Sequence, residues 1–436
     1  MTSCAAYVLA GVLTYPSVRS GHQADALRAV RSPLLNPPPH LCGGGSLRAR
    51  SRLRPNPSPP FLRTFSLLLL CIVPRGVSAQ SRDPWLPTVG IRGVTVGPIE
   101  SSQQPGRGYG TEASAVVLDE LVRLGANWVS ITPFGRLWSL DSTEIVRDFE
   151  APYQDNRRAV ARMVAQAKER GLRVLLVPHL WVDTGGWRGE IELGSPERWR
   201  AYQASYRAFV LAWAKDAARA GADAFSIGVE CKSWSGRFGG YWTGLIRDVR
   251  ATFPGALTYS ANWDEAEDVL FWDQLDWFGI NAFYPLADRN GASTAAYARR
   301  AREVADGLER QARALAMPVV FVEVGYTSRA NAAVEPWLWP DVMQAVPVDE
   351  REPARALDAL TGALVERPWF GGFFVWRYYA NLDDVSQEAA WGFSPHGKLA
   401  ERTLRRVFAF PWGVDPEPPP WQPLVLGPAG AYAGQP

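Results

Sequence analysis

Two acidic residues end apolar runs in this 436-residue chain. Glu230 closes Asp223-Ala-Phe-Ser-Ile-Gly-Val-Glu230, and Glu323 closes Pro318-Val-Val-Phe-Val-Glu323, ahead of Val-Gly-Tyr326. Each run reads as a buried strand, because short continuous apolar stretches between turn signals suit strands covered on both faces. A carboxylate placed where such a strand leaves the core needs a purpose, since buried charge is costly unless it is paired or used. Two of them on separate strands are the minimal equipment for hydrolysing a glycosidic bond.

Other catalytic systems fail on inventory. After residue 80 the chain holds only His179 and His396 and one cysteine, Cys231, so neither a multi-histidine nor a cysteine-based metal site is expected. No Gly-x-Ser-x-Gly elbow is present. Gly106-Arg-Gly108-Tyr-Gly110 lacks Walker spacing and has no dinucleotide fingerprint after it, so it reads as a loop. No metal and no cofactor are expected.

The elements that must position the glutamates follow one repeated unit of helix, glycine, short polar step and apolar strand. Leu124-Gly125-Ala-Asn-Trp-Val-Ser-Ile, Arg170-Gly171-Leu-Arg-Val-Leu-Leu-Val177 and Ala220-Gly221-Ala-Asp-Ala-Phe-Ser-Ile227 share it. Glycine after a helix suits a left-handed C-cap. Strands are expected near 90–96, 127–133, 173–179, 223–229, 256–262, 275–282, 318–324 and 371–377. Helices are expected over 113–124, 156–170, 196–220 and 295–316, among others. This pattern predicts an α/β protein with a single (β/α)8 TIM barrel over 85–410, and a doubly wound open sheet is the competing fold. In a barrel the active site lies at the C-terminal ends of the strands, which places Glu230 at the end of strand four and Glu323 at the end of strand seven.

Composition narrows the function classes. Residues 1–80 carry nine arginines against Asp25 alone, a local charge of +8, so the remainder carries −6 of the net +2. A mildly acidic folded part offers no electrostatic case for nucleic acid or an anionic membrane. All 19 tryptophans follow residue 80; indole faces suit sugar rings, although large barrels bury many aromatics in any case. Residues 1–60 read as disordered or as a mis-assigned N-terminal extension. Residues 61–80 resemble a secretory signal, with Arg63, the apolar run Phe65–Val73 and Val77-Ser78-Ala79 before Gln80. Secretion or a periplasmic location is therefore expected, with no stable membrane insertion after cleavage and with cell-surface anchoring left open. Residues 411–436 form a Pro-rich tail, and a monomer is expected.

The barrel glutamates on strands four and seven resemble those of the retaining clan of (β/α)8 glycoside hydrolases. Pro178-His179-Leu-Trp181, Trp187-Arg188-Gly189-Glu190, Ile-Gly-Val-Glu230 and Val-Glu323-Val-Gly-Tyr326 together resemble glycoside hydrolase family 113, best known for endo-β-1,4-mannanases. The resemblance implies Glu230 as general acid/base and Glu323 as nucleophile of a double displacement, with a polysaccharide or oligosaccharide as substrate. It needs Glu230 protonated near neutral pH, which a neighbouring carboxylate favours. Many clan members carry Asn immediately before the acid/base, where this chain has Val229. The sugar 2-hydroxyl must then be met from elsewhere. By position, Tyr284 is expected to donate to Glu323 and Trp376, at the end of strand eight, to floor the sugar site. His179 at the end of strand three, Asn262 and Trp263 at the end of strand five, Trp187 and Arg188 in the loop after strand three, and Asn281 complete the expected cleft. Two alternatives stay open: hydrolysis of another β-glycan such as β-glucan, and a non-catalytic barrel that binds glycans.

Overall fold

Eight parallel strands close into a barrel in the order β1-β2-β4-β6-β7-β8-β9-β10 and back to β1. They are β1 (Ile91–Gly97), β2 (Trp128–Ile131), β4 (Arg173–Leu176), β6 (Ala224–Val229), β7 (Ala256–Asn262), β8 (Phe278–Asn281), β9 (Val319–Val324) and β10 (Phe370–Tyr379). These are the eight strands read from the sequence, so the fold is the single TIM barrel and not the open sheet. The computed structural model describes residues 90–97, 105–338, 346–383, 390–412 and 421–424, all within the unit Gln80–Pro436. The expected signal segment and N-terminal extension lie outside the described residues.

Three helices end as their sequence signals require. α1 (Glu112–Leu124) and α3 (Pro196–Ala220) begin on Thr111 and Ser195, whose side chains accept hydrogen bonds from Ser114 N and Arg198 N. Gly125, Gly171 and Gly221 follow α1, α2 (Tyr153–Glu169) and α3 with φ of 95°, 74° and 80°. That left-handed region is open to glycine at little cost. The remaining described helices are α4 (Lys232–Ser235), α5 (Gly239–Arg250), α6 (Thr294–Leu315), α7 (Arg351–Gly362) and α8 (Leu399–Ala409). Residues 421–424 of the tail lie against the last two, where Leu424 N donates to Asp358 and Arg406 stacks over Trp421.

The barrel interior is filled by large side chains at its lower layers. Trp128, Trp277 and Phe374 meet edge to face, with centroids 5.7 and 6.1 Å from Trp128, and Val177, Val229, Val320 and Val322 pack around them. Gly93 makes room for this: a Cβ there would lie 2.3 Å from the Phe374 ring. Above this packed floor, at the C-terminal mouth, stand the charged side chains of the candidate site.

Two further strands were not read from the sequence. β3 (Phe134–Leu137) and β5 (His179–Val182) pair in parallel above the mouth, with Phe134 opposite His179. They continue β2 and β4 after Pro133 and Pro178, which lack the N–H a ladder needs and so interrupt each strand. His179 therefore opens a second strand and does not end barrel strand three; its N–H donates to Pro133 O at 2.8 Å. Trp376 is likewise internal to its strand, because β10 runs on to Tyr379.

Candidate active site

Backbone irregularities aim both glutamates into the mouth. Between β6 and β7 the register passes from Ser226–Thr258 to Val229–Ser260, so β6 carries one extra residue just before Glu230. Between β8 and β9 it passes from Ile280–Phe321 to Asn281–Glu323, an extra residue just before Glu323. A bulge re-aims the side chains that follow it. Glu230 then takes φ of 49°, a left-handed conformation that costs a non-glycine residue roughly 1–3 kcal/mol and persists only where neighbours hold it. Its N–H donates to Ser260 O at 2.8 Å, and the next amide, Cys231 N–H, donates to the Tyr259 hydroxyl at 2.6 Å.

Glu230 and Glu323 are 7% and 4% exposed. Glu230 Oε2 accepts from Trp187 Nε1 at 2.8 Å and pairs with Arg188 Nη2 at 3.0 Å. Its Oε1 accepts from Asn281 Nδ2 at 3.0 Å. His179 Nε2 stands 3.1 Å from Glu323 Oε1, close but out of line for a hydrogen bond. Arg188 is itself steadied by Leu180 O at 3.3 Å, in the ribbon strand that carries His179.

Burial sets the charge states. It pushes Glu323 up to about 7, against the pull of Arg188, Arg377 and Asn281. Burial first and the Arg188 charge second hold His179 well below its ordinary value, so its imidazole is neutral and the His179–Glu323 contact is not an ion pair. His179 Nε2, Asn281 Oδ1 and Glu323 Oε1 are all buried without a hydrogen-bond partner. Buried polar atoms are ordinarily satisfied, so three in one cluster mark polar capacity suited to a hydroxyl-rich ligand.

Aromatic rings border the cluster. Trp376 stacks on His179 at 5.8 Å, packs with Phe283 and Phe393, and carries the Arg377 guanidinium over its ring, 4.9 Å from the centroid. The Trp376–Arg377 peptide is cis. Trp263 packs against that cluster and stacks on Trp337, which is 44% exposed, at 5.7 Å. Trp187 lies under the Lys232 ammonium, which pairs with Asp264 at 2.5 Å.

Of the residues expected from the sequence, Glu230, Glu323, His179, Trp187, Arg188 and Asn281 come together, with Trp376 and Trp263 beside them. Two are placed differently. The expected hydrogen bond from Tyr284 to Glu323 is absent among the described residues: the Tyr284 ring packs on Trp263 and Phe321 instead. Asn262 turns its amide to Asp264 Oδ1 at 2.9 Å and caps Trp263 N, so it shapes the turn behind the cleft. Sequence reading missed Arg377, Tyr259, Glu265 and Trp337. Of these only Arg377, next to Trp376 on an apolar strand, carried a signal in its being a charge inside a buried run. Among the described residues no group of three or more His, Cys, Asp or Glu side chains is arranged to hold a metal.

Comparison with known proteins agrees with this geometry. The family model described as Glycoside Hydrolase Family 113 matches residues 102–398. A family 113 β-mannanase from Alicyclobacillus acidocaldarius, solved in complex with ManMIm, is 27% identical, with a TM-score of 0.65 over 74% of this chain and 99% of that one. A family 113 β-1,4-mannanase at 23% identity matches with a TM-score of 0.62 over 73% of this chain and 99% of the other. A family 5 mannosidase from Rhizomucor miehei, at 11% identity, shares the fold with a TM-score of 0.51 over 74% and 92%. No curated protein sequence matches the chain.

Proposed function

We propose that this chain, which belongs to glycoside hydrolase family 113, hydrolyses β-1,4-mannan by a retaining double displacement. The observation that carries the mechanism is the pair of buried glutamates at the ends of barrel strands four and seven, Glu230 held by Asn281, Trp187 and Arg188 and Glu323 set beside His179. The family's β-mannanases support the choice of sugar, the one from Alicyclobacillus acidocaldarius above all.

In the first step a Glu323 oxygen attacks the anomeric carbon. The bond from that carbon to the glycosidic oxygen breaks, its electron pair stays on that oxygen, and Glu230 donates a proton there. In the second step Glu230 takes a proton from water, the water oxygen attacks the anomeric carbon, and Glu323 leaves as carboxylate. Retention needs the two carboxyls about 5–5.5 Å apart. Trp187 and Arg188 stabilise the Glu230 carboxylate formed after the first transfer, and the Arg188 and Arg377 charges favour the ionised form of Glu323. Trp376, Trp263 and exposed Trp337 supply apolar faces for successive sugars.

Export from the cytoplasm is part of this reading, supported by Arg63, the run Phe65–Val73 and Val77-Ser78-Ala79. A polymer too large to enter a cell requires it, and mature protein is expected to begin at Gln80. Reducing-sugar release by residues 81–436 on β-mannan, glucomannan, β-glucan and xylan tests the substrate. Release from mannan that disappears in Glu323→Ala is the expected result; release from another polymer alone would keep the mechanism and move the sugar. Tight binding with no release would make the chain a glycan-binding barrel.

A further inference from the structure

A third carboxyl lies beneath Glu230, outside the chemistry above. Glu265, in the turn that follows β7, is fully buried. Its Oε1 accepts a hydrogen bond from the Tyr259 hydroxyl and its Oε2 accepts one from Asn262 N at 3.0 Å. The Tyr259 hydroxyl in turn accepts from the Cys231 amide at 2.6 Å. Cys231 directly follows Glu230, the residue held at φ of 49°. The Tyr259 ring has little freedom to drift, since Trp242, Phe271 and Trp272 pack around it with centroids 5.8, 5.3 and 5.9 Å away.

The order of donors in this chain is fixed by proton count. A phenol has one proton. With that proton given to Glu265, the phenol oxygen presents its lone pairs to Cys231 N–H. Without an acceptor at Glu265 the hydroxyl can rotate and present its proton to the amide, donor against donor. Glu265 is a fully buried carboxyl that accepts from neutral donors, the Tyr259 hydroxyl and Asn262 N–H, one on each oxygen. Burial pushes it up to about 7, against the hydrogen bonds it receives from Tyr259 and Asn262 N. The titratable groups facing it are Tyr259 on β7 and Cys231 and Glu230 at the end of β6.

We propose that Glu265 and Tyr259 are positioning residues for Glu230. Glu265 orients the Tyr259 hydroxyl, the hydroxyl holds the Cys231 amide, and that amide fixes the backbone that aims the Glu230 carboxyl at the glycosidic oxygen. This relay rests on the assignment of Glu230 as the acid/base.

The test separates aim from mere support by leaving group. A phenyl β-mannobioside needs a proton on its departing oxygen, whereas a 2,4-dinitrophenyl β-mannobioside departs without one. Glu265→Met, which removes both acceptor oxygens, and Tyr259→Phe keep the side chains close in volume and break the relay at different bonds, so each carries the contrast if the other fails to fold. For either variant, kcat/KM on the phenyl glycoside is expected to fall at least about tenfold further than on the dinitrophenyl glycoside. Equal falls on both glycosides, or no fall on either, overturn the relay alone. A wild-type enzyme that cleaves neither glycoside overturns the mannanase reading first, and the relay with it.

Discussion

Arg188 acts on both glutamates at once: it pairs with Glu230 at 3.0 Å and its charge draws Glu323 downward against burial. In the proposed mechanism Glu323 must be ionised in the free enzyme, and burial raises it to about 7, so the acid limb of kcat/KM is expected near there. Arg188→Gln removes a positive charge that favours the carboxylate, so the acid limb is expected to move to higher pH. A pH profile of the variant checks this, and an acid limb unmoved or shifted to lower pH would contradict it. The type and place of Glu230, Glu323, Trp187 and Arg188 were legible because charge or indole stood at the end of an apolar run or in a short motif. Glu265 was not legible. It sits in Asn262-Trp-Asp-Glu265, which reads as a solvated turn, and nothing in the local pattern reports that the turn folds inward over Tyr259.

At the scale of elements, the strand runs and the glycine after each of three helices were readable because they depend on local chemistry. The β3–β5 ribbon was not, since Pro133 and Pro178 look like strand ends and only the tertiary pairing of Phe134 with His179 makes new strands beyond them. The bulges before Glu230 and Glu323 were hidden for the same reason: register is a relation between two strands. The ribbon is packed tightly, and a Cβ on Gly135 would lie 2.7 Å from Phe209 Cε2 and 2.9 Å from Ile145 Cγ2. Gly135→Ala is therefore expected to destabilise the protein by about 1–3 kcal/mol, the usual range for overpacking. Urea unfolding of the variant measures it, and an unchanged midpoint would show that the ribbon can yield at this point.

For the whole molecule, the barrel mouth and the turn beneath it hold buried carboxyls whose charge couples folding to pH. Glu323 and Glu265 are both raised to about 7 from an ordinary 4.5. Between those values the folded chain binds protons that the unfolded chain has released, so their contribution to stability is present at low pH and lost as pH rises through about 7. His179 works oppositely, since its depressed value favours the folded state above 6.5 and loses that contribution as pH falls. Glu323→Gln isolates one carboxyl: from pH 5 to 8 the wild type is expected to lose melting temperature relative to the variant. A constant difference across that range would contradict the burial of Glu323 in its raised form. Barrel closure itself could be inferred from eight repeated units, whereas the convergence of β6, β8, β9 and the ribbon on one polar cluster is a property of the closed ring alone.

In the proposed mechanism Glu323 forms a covalent bond to the sugar, and trapping that bond is the decisive experiment. Incubation with 2-deoxy-2-fluoro-β-mannosyl fluoride, followed by mass analysis of the intact protein and its peptides, is expected to give one added sugar on the peptide containing Glu323. An adduct on another residue would move the nucleophile. Turnover of mannan to the α-anomer with no adduct would replace the retaining mechanism with an inverting one.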